Sequence, residues 1–183
     1  GTPKELITAQ VGDSRVYRLR GGALERITQD QSRIQEMIDV GRRIDGQLLP
    51  PDADQVGDPE VDARMTDAQR RVVIQFRNVI TRALGRSKVR VDVTRTPIEA
   101  GDEFIAISDG VGDCLTDREI EAIAREHSGD PVRISGALVA ASQERVKAKE
   151  IAQETGRPVD ALLDRGKDDD RSAVAIRITK ARA

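Results

Sequence analysis

Gly101-Asp102-Glu103-Phe104-Ile105-Ala106-Ile107-Ser108-Asp109-Gly110 is the stretch on which the fold turns. Residues 104–107 are an apolar run too short for a helix, and Gly101-Asp102 and Asp109-Gly110 bound it on both sides. Such a run predicts a central strand that ends in an acidic turn. A carboxylate at a strand end is held rigidly and points into the adjacent cleft. The same turn carries Val111-Gly112-Asp113, and two more acidic turns adjoin predicted strands: Val11-Gly12-Asp13-Ser14-Arg15 and Lys167-Asp168-Asp169-Asp170-Arg171-Ser172. If the three converge they form an all-oxygen site, which suits a hard cation such as Mg²⁺ or Mn²⁺. Converging carboxylates also call for one, because like charges do not stay ionised at close range unaided. Taken singly, each turn has a plain structural reading, since Asp and Gly are the commonest turn residues. The triple aspartate also reads as a solvated charge run.

Outward from this stretch, residues 6–10 read as extended, and residues 15–20 and 24–28 form a hairpin about Gly21-Gly22. Asp30 or Ser32 caps a helix over Ile34, Met37 and Ile38 that Gly41 stops. Thr66 precedes a helix through Val72, Val73 and Phe76. Val89, Val91 and Val93 alternate with Arg90, Asp92 and Thr94, which predicts a half-buried strand. Thr116-Asp117-Arg118-Glu119 is a capping box ahead of the apolar stripe Ile120, Ile123 and Ala124. Ile134, Leu138, Ala141 and Val146 predict another helix, and Val174, Ile176 and Ile178 lie on one face of a final strand. Strands and helices without regular βαβ alternation indicate an α+β domain. Residues 45–64 differ in character: Gly46, Pro50-Pro51, Gly57, Pro59 and repeated aspartates leave little to bury and predict a mobile surface insertion.

The chain has 183 residues, the length of one domain. Lys plus Arg is 30 against 32 for Asp plus Glu, a net charge of -2, which argues against a dedicated nucleic-acid binder. Tyr17, Phe76 and Phe104 are the aromatic residues, so the core is aliphatic and base stacking is not an expected activity. One cysteine, Cys114, and one histidine, His127, exclude an intramolecular disulfide, a Cys-rich zinc site and a multi-His centre. Both read as structural, Cys114 behind the Asp109 turn and His127 at a helix end. No apolar run approaches the ~20 residues of a membrane span, and the first residues lack a signal peptide's pattern, so the expected location is cytoplasmic with no membrane partner. Arg70-Arg71, Arg77, Arg82, Arg86 and Lys88 form a basic stretch, either a solvated helix face or a contact for a phosphorylated substrate.

Four motifs, in order over residues 6–179, carry a resemblance. Residues 11–20, Val-Gly-Asp-Ser-Arg-Val-Tyr-Arg-Leu-Arg, lead through the hairpin to Ile27-Thr28-Gln29-Asp30-Gln31-Ser32. Asn78-Val79-Ile80-Thr81-Arg82-Ala83-Leu84-Gly85 follows, then residues 101–110, then Asp169-Asp170-Arg171-Ser172 before the last strand. Together they resemble the PPM (PP2C-type) metal-dependent protein serine/threonine phosphatases, with Gln31 standing where that family has a histidine.

The resemblance implies a sandwich of two antiparallel β-sheets flanked by helices, with residues 45–77 as a flap beside the active site. It implies hydrolysis of phosphoserine or phosphothreonine in proteins by a metal-activated water, with no side chain of this chain singled out as nucleophile. The cofactors it implies are two Mn²⁺ or Mg²⁺ ions, with a third, weaker site in many members. Asp109 and Asp169 are carried over as ligands of the pair, with Asp168 and Asp170 as alternatives to Asp169, and Asp13 and Asp113 as ligands of the third site. The partners implied are a phosphorylated protein and, in signalling, a serine/threonine kinase or its targets. The family's upstream Asp-Gly-x-Gly-type motif, whose aspartate bridges both metals, has no counterpart here. The single domain is therefore expected to lack its N-terminal part, and the chain alone to be weakly active. A non-catalytic, PPM-derived binding or regulatory module is the alternative reading.

Overall fold

The computed structural model describes residues 5–85 and 89–180. The run at 104–107 is central, as its composition predicts. Strand β7 (Glu103–Ile107) lies between β2 (Arg15–Arg20) and β8 (Ala173–Arg177), antiparallel to both, and β3 (Ala23–Arg26) completes the order β3-β2-β7-β8. The β2–β3 hairpin closes through Gly21 and Gly22 at φ 58° and 82°. That left-handed pair is what a two-residue turn between twisted strands needs.

One face of this sheet is covered by helices. Tyr17, Leu19, Ile105 and Ile107 pack there against Val111, Leu115, Ile120, Ile134 and Leu138. Helix α5 (Asp117–Glu126) starts at Thr116, whose side chain and that of Glu119 cap each other's backbone as the sequence predicts. Helix α6 (Pro131–Glu154) runs against β8. Its Pro131 occupies the first turn, where a missing N–H costs nothing.

The strand expected at residues 89–94 is β6 (Asp92–Pro97), which starts later and pairs antiparallel with β1 (Glu5–Gln10) as a separate two-stranded sheet. Arg18 and Arg20 of β2 link the two sheets by donating to the Pro97 carbonyl at 3.3 and 3.1 Å. With only two strands, this sheet leaves Val91 and Val93 exposed rather than half-buried. The face of β8 that packs on the core is the one with the smaller residues. Ala173 and Ala175 pack on the core, whereas Val174 and Ile176 are 60% and 44% exposed. Side chains alternate along a strand, so α6, packing on the small alanines, turns the larger residues to the other face.

Residues 45–64 do not lack a core. Leu49, Ala53, Val56 and Val61 are buried with Ile34, Met65 and Val73 in a second cluster. This cluster lies among α1 (Arg33–Asp39), the hairpin β4 (Arg43–Ile44) and β5 (Gln47–Leu48), a 3-10 turn at Ala53–Gln55, α2 (Pro59–Asp62) and α3 (Asp67–Phe76). Four apolar residues spread among prolines and acids show no period, yet the bends the prolines and glycines impose bring them together. Asp58, one of the segment's repeated aspartates, is the N-cap of α2, accepting from Glu60 N at 2.9 Å. Ser32, not Asp30, caps α1, and Gly41 follows its end at φ 62°. Among the described residues no helix is long and apolar enough to cross a membrane.

Candidate metal centre

Beyond β7 the chain enters the single-turn helix α4 (Asp109–Gly112), and the loop 167–172 feeds β8 beside it. Ser108 N donates to the Ser172 carbonyl at 3.0 Å, and Ser108 Oγ accepts from Ser172 N at 3.0 Å. Gly110 makes this approach possible. A Cβ there would overlap the Asp170 carbonyl oxygen and stand 3.0 Å from its carbonyl carbon.

Lys167 joins the two acidic turns. Its Nζ donates to Asp109 Oδ2 at 2.9 Å and Asp113 Oδ2 at 3.2 Å, and pairs with Asp169 Oδ2 at 2.9 Å. Burial disfavours the ammonium, but hydrogen bonds to Asp109 and Asp169 outweigh it and raise the Lys167 pKa. The same bond from Lys167 holds Asp169 below the usual carboxylate range. Of the three consecutive aspartates, Asp169 is the one that reaches this cation.

The Asp13 turn is fixed from another side. Gly12, at φ 100°, donates its N–H to Gln31 Oε1 at 2.9 Å, and Gln31 Nε2 donates to Asp92 at 2.7 Å. The glutamine standing in place of the family's histidine is thus a strut for the Gly12-Asp13 turn. Burial, then the charges on Asp109, Asp113 and Asp30, push Asp13 up to about 6. Asp13 therefore feels both neighbouring acids.

Three arginines hold this end of the sheet, and sequence reading singled out none for that task. Arg165 is 1% exposed and donates to the carbonyls of Asp54, Val56, Gly112 and Leu115 at 2.9–3.1 Å. Burial, then the charges of Arg77 and Arg15, hold it down at about 10. Arg77 donates to the Asp113 and Asp164 carbonyls at 3.0 and 3.1 Å. Arg15 pairs with buried Asp30 at 2.6 Å and reaches the Gly112 carbonyl at 3.4 Å. Nothing in the sequence separates Arg165 from a surface arginine. Arg77 belonged to the basic stretch, in which Arg82 pairs with Asp92 at 3.6 Å, while Arg86 and Lys88 lie outside the described residues. Cys114 is buried, with Sγ 3.5 Å from Lys167 N, and His127 ends α5. A cleft of about 440 Å³ bounded by Tyr17, Arg26, Gln55 and Arg118 includes none of the four aspartates.

The donor chemistry fits a hard divalent cation, because carboxylate oxygens from two turns already surround one positive charge. Among the described residues, no three acid, thiol or imidazole groups stand close enough to hold a bare ion. Their spacing is that of an ammonium's partners.

The fold superposes on the solved serine/threonine phosphatase PstP/Ppp of Mycobacterium tuberculosis with a TM-score of 0.62 and 24% identity, covering 97% of this chain and 56% of that one. A structure of the PstP catalytic domain in complex with two manganese ions aligns at 0.58 over the same shares, also at 24% identity. By sequence, 110 residues, 60% of this chain, are 32% identical to serine/threonine protein phosphatase PstP of M. tuberculosis. The chain is similar to bacterial serine/threonine phosphatases in sequence and shares their fold. A second relative, serine/threonine phosphatase stp of Listeria monocytogenes, is 28% identical over 122 residues, 66% of this chain. No family model matches the chain. The chain spans 17% of the length of PstP, 39% of stp and about half of the solved PstP chains.

Proposed function

We propose that this chain forms the Asp109 side of a PPM active site, and that the protein hydrolyses phosphoserine and phosphothreonine in protein substrates with Mn²⁺ or Mg²⁺. The observation that carries this reading is the gathering of Asp109, Asp113 and Asp169 about one cationic point at the end of the central sheet. Asp109 and Asp169 are the proposed ligands of the metal pair, with Asp113 and the neighbouring Asp13 at the third site. Bound there, a divalent ion acidifies water and neutralises phosphoryl oxygens. The chain's own work is positional. Arg165, Arg77 and Arg15 fix the backbone of the Asp109–Asp113 turn, the Ser108–Ser172 bonds fix the 167–172 loop against it, and Gln31 fixes the turn that bears Asp13. A hard cation takes about six oxygens, more than these carboxylates supply, so the 183-residue chain by itself is expected to turn over slowly.

A non-catalytic PPM module remains the second reading, favoured by the Lys167 ammonium already satisfying the acids. Hydrolysis of p-nitrophenyl phosphate and of a phosphothreonine peptide, with Mn²⁺ and with chelator, decides between them. Mn²⁺-dependent release of phosphate by the full-length protein supports the enzyme, and full-length protein inactive at every metal concentration supports the module.

A further inference from the structure

We infer that Lys167 is a built-in competitor for the divalent cation, an internal counter-ion that must swing out of the acidic cluster before metal enters. The inference rests on the proposed metal role of Asp109, Asp113 and Asp169. It goes further by assigning the chain's own ammonium a regulatory part at that site.

Three observations support it. First, Nζ contacts one oxygen from each of the three carboxylates at 2.9–3.2 Å, so a metal ion directed at those oxygens meets the ammonium. Second, these are ammonium distances, whereas a hard metal needs its oxygens at roughly 2.0–2.2 Å for Mg²⁺, so metal entry requires the acids to close in after Nζ has left. Third, the backbone behind Lys167 is pinned. Its N–H faces Cys114 Sγ at 3.5 Å, its carbonyl accepts from Arg171 at 2.8 Å, and Lys149 Nζ donates to the Gly166 carbonyl at 3.0 Å. The exchange is then a rotation of one flexible, half-buried side chain, with no loop rearrangement. Removing the lysine lowers stability without metal, because three carboxylates lose their shared cation.

The test is Mn²⁺ titration calorimetry on full-length wild type, Lys167→Met and Lys167→Arg, with thermal unfolding in chelator and in Mn²⁺. Lys167→Met is expected to bind Mn²⁺ at least about tenfold more tightly than wild type. It should also melt lower in chelator and gain more from Mn²⁺. Lys167→Arg, which keeps a cation in place, should stay near wild-type affinity. Equal or weaker Mn²⁺ binding by Lys167→Met, or no binding by either protein, overturns the inference. Should Lys167→Met not fold, wild type and Lys167→Arg still answer. Mg²⁺ should move the Lys167 side-chain NMR signal, assigned by its loss in Lys167→Arg, to the position of a solvated lysine, and an unmoved signal overturns the inference. Tightened Mn²⁺ binding with no phosphatase activity in any variant sinks the proposed enzyme and leaves the competitor standing.

Discussion

Gly110→Ala tests the contact that brings the two acidic turns together. The added Cβ would overlap the carbonyl oxygen of Asp170, and lie 3.0 Å from its carbonyl carbon and 3.3 Å from Arg171 Cγ. The first two are backbone atoms and cannot swing aside, so the 167–172 loop must retreat by on the order of 1 Å to reach an ordinary contact. Overpacking of this kind costs about 1–3 kcal/mol. Alanine's advantage over glycine in a helix, at most about 1 kcal/mol, offsets part of that. A net loss of about 1–2 kcal/mol corresponds, at this chain length, to a Tm roughly 2–8 °C lower. Gly136, inside α6 with open space where its Cβ would be, is the control, and Gly136→Ala should hold or raise Tm. Thermal unfolding followed by circular dichroism, in chelator, reads both. A Gly110→Ala protein melting within about 1 °C of wild type, about half a kcal/mol or less, would show that the turns are not in the contact described.

Arg165→Met removes the donor from the Asp54, Val56 and Leu115 carbonyls and leaves Gly112 only the longer bond from Arg15, so it should cost more than about 3 kcal/mol in urea denaturation; a loss below about 1 kcal/mol would contradict the clamp. Burial raises the Asp54 carboxyl, but the Arg26 and Arg15 charges outweigh it and hold it down at about 2. A depressed carboxylate stabilises the fold above its unfolded pKa, and that contribution fades as pH falls from about 4 towards 2. Asp54→Asn should therefore lose on the order of 2 kcal/mol at pH 7, with the gap to wild type closing below about pH 3; a gap independent of pH would refute the pairing. Ile105→Ala should cost about 2–5 kcal/mol and Val174→Thr less than about 0.5 kcal/mol by chemical denaturation, and equal losses would contradict the placement of the core on the helix-covered face.

The central strand and its aspartate were legible because a short apolar run between two Gly/Asp pairs admits few other structures. The helix over Ile120 was legible because its capping box, Thr116 to Glu119, is a local device that needs no tertiary context. The acidic turns were visible as turns, but their convergence depended on Gly110, whose importance comes from a neighbour 60 residues away in sequence. Lys167 and Arg165 were opaque for the same reason. Each is an ordinary cation in a polar loop until the fold sets three carboxylates or four carbonyls around it. In residues 45–64 composition misled, because Leu49, Ala53, Val56 and Val61 have no periodicity and are gathered by bends alone. Which β8 face is buried was not legible, because alternation finds two faces without saying which one a helix covers.

The most direct test of the central claim is metal-dependent phosphate release from a phosphothreonine peptide by full-length wild type and Asp109→Asn, after chelation and Mn²⁺ re-addition. Partners of metal ligands alone are worth roughly 10–100-fold, so loss of a ligand itself should cut turnover by more than about 100-fold. The prediction is Mn²⁺-dependent turnover in wild type and its loss in Asp109→Asn at an undiminished Tm. Chelator-resistant hydrolysis, or an Asp109→Asn protein that keeps wild-type turnover in Mn²⁺, would contradict it.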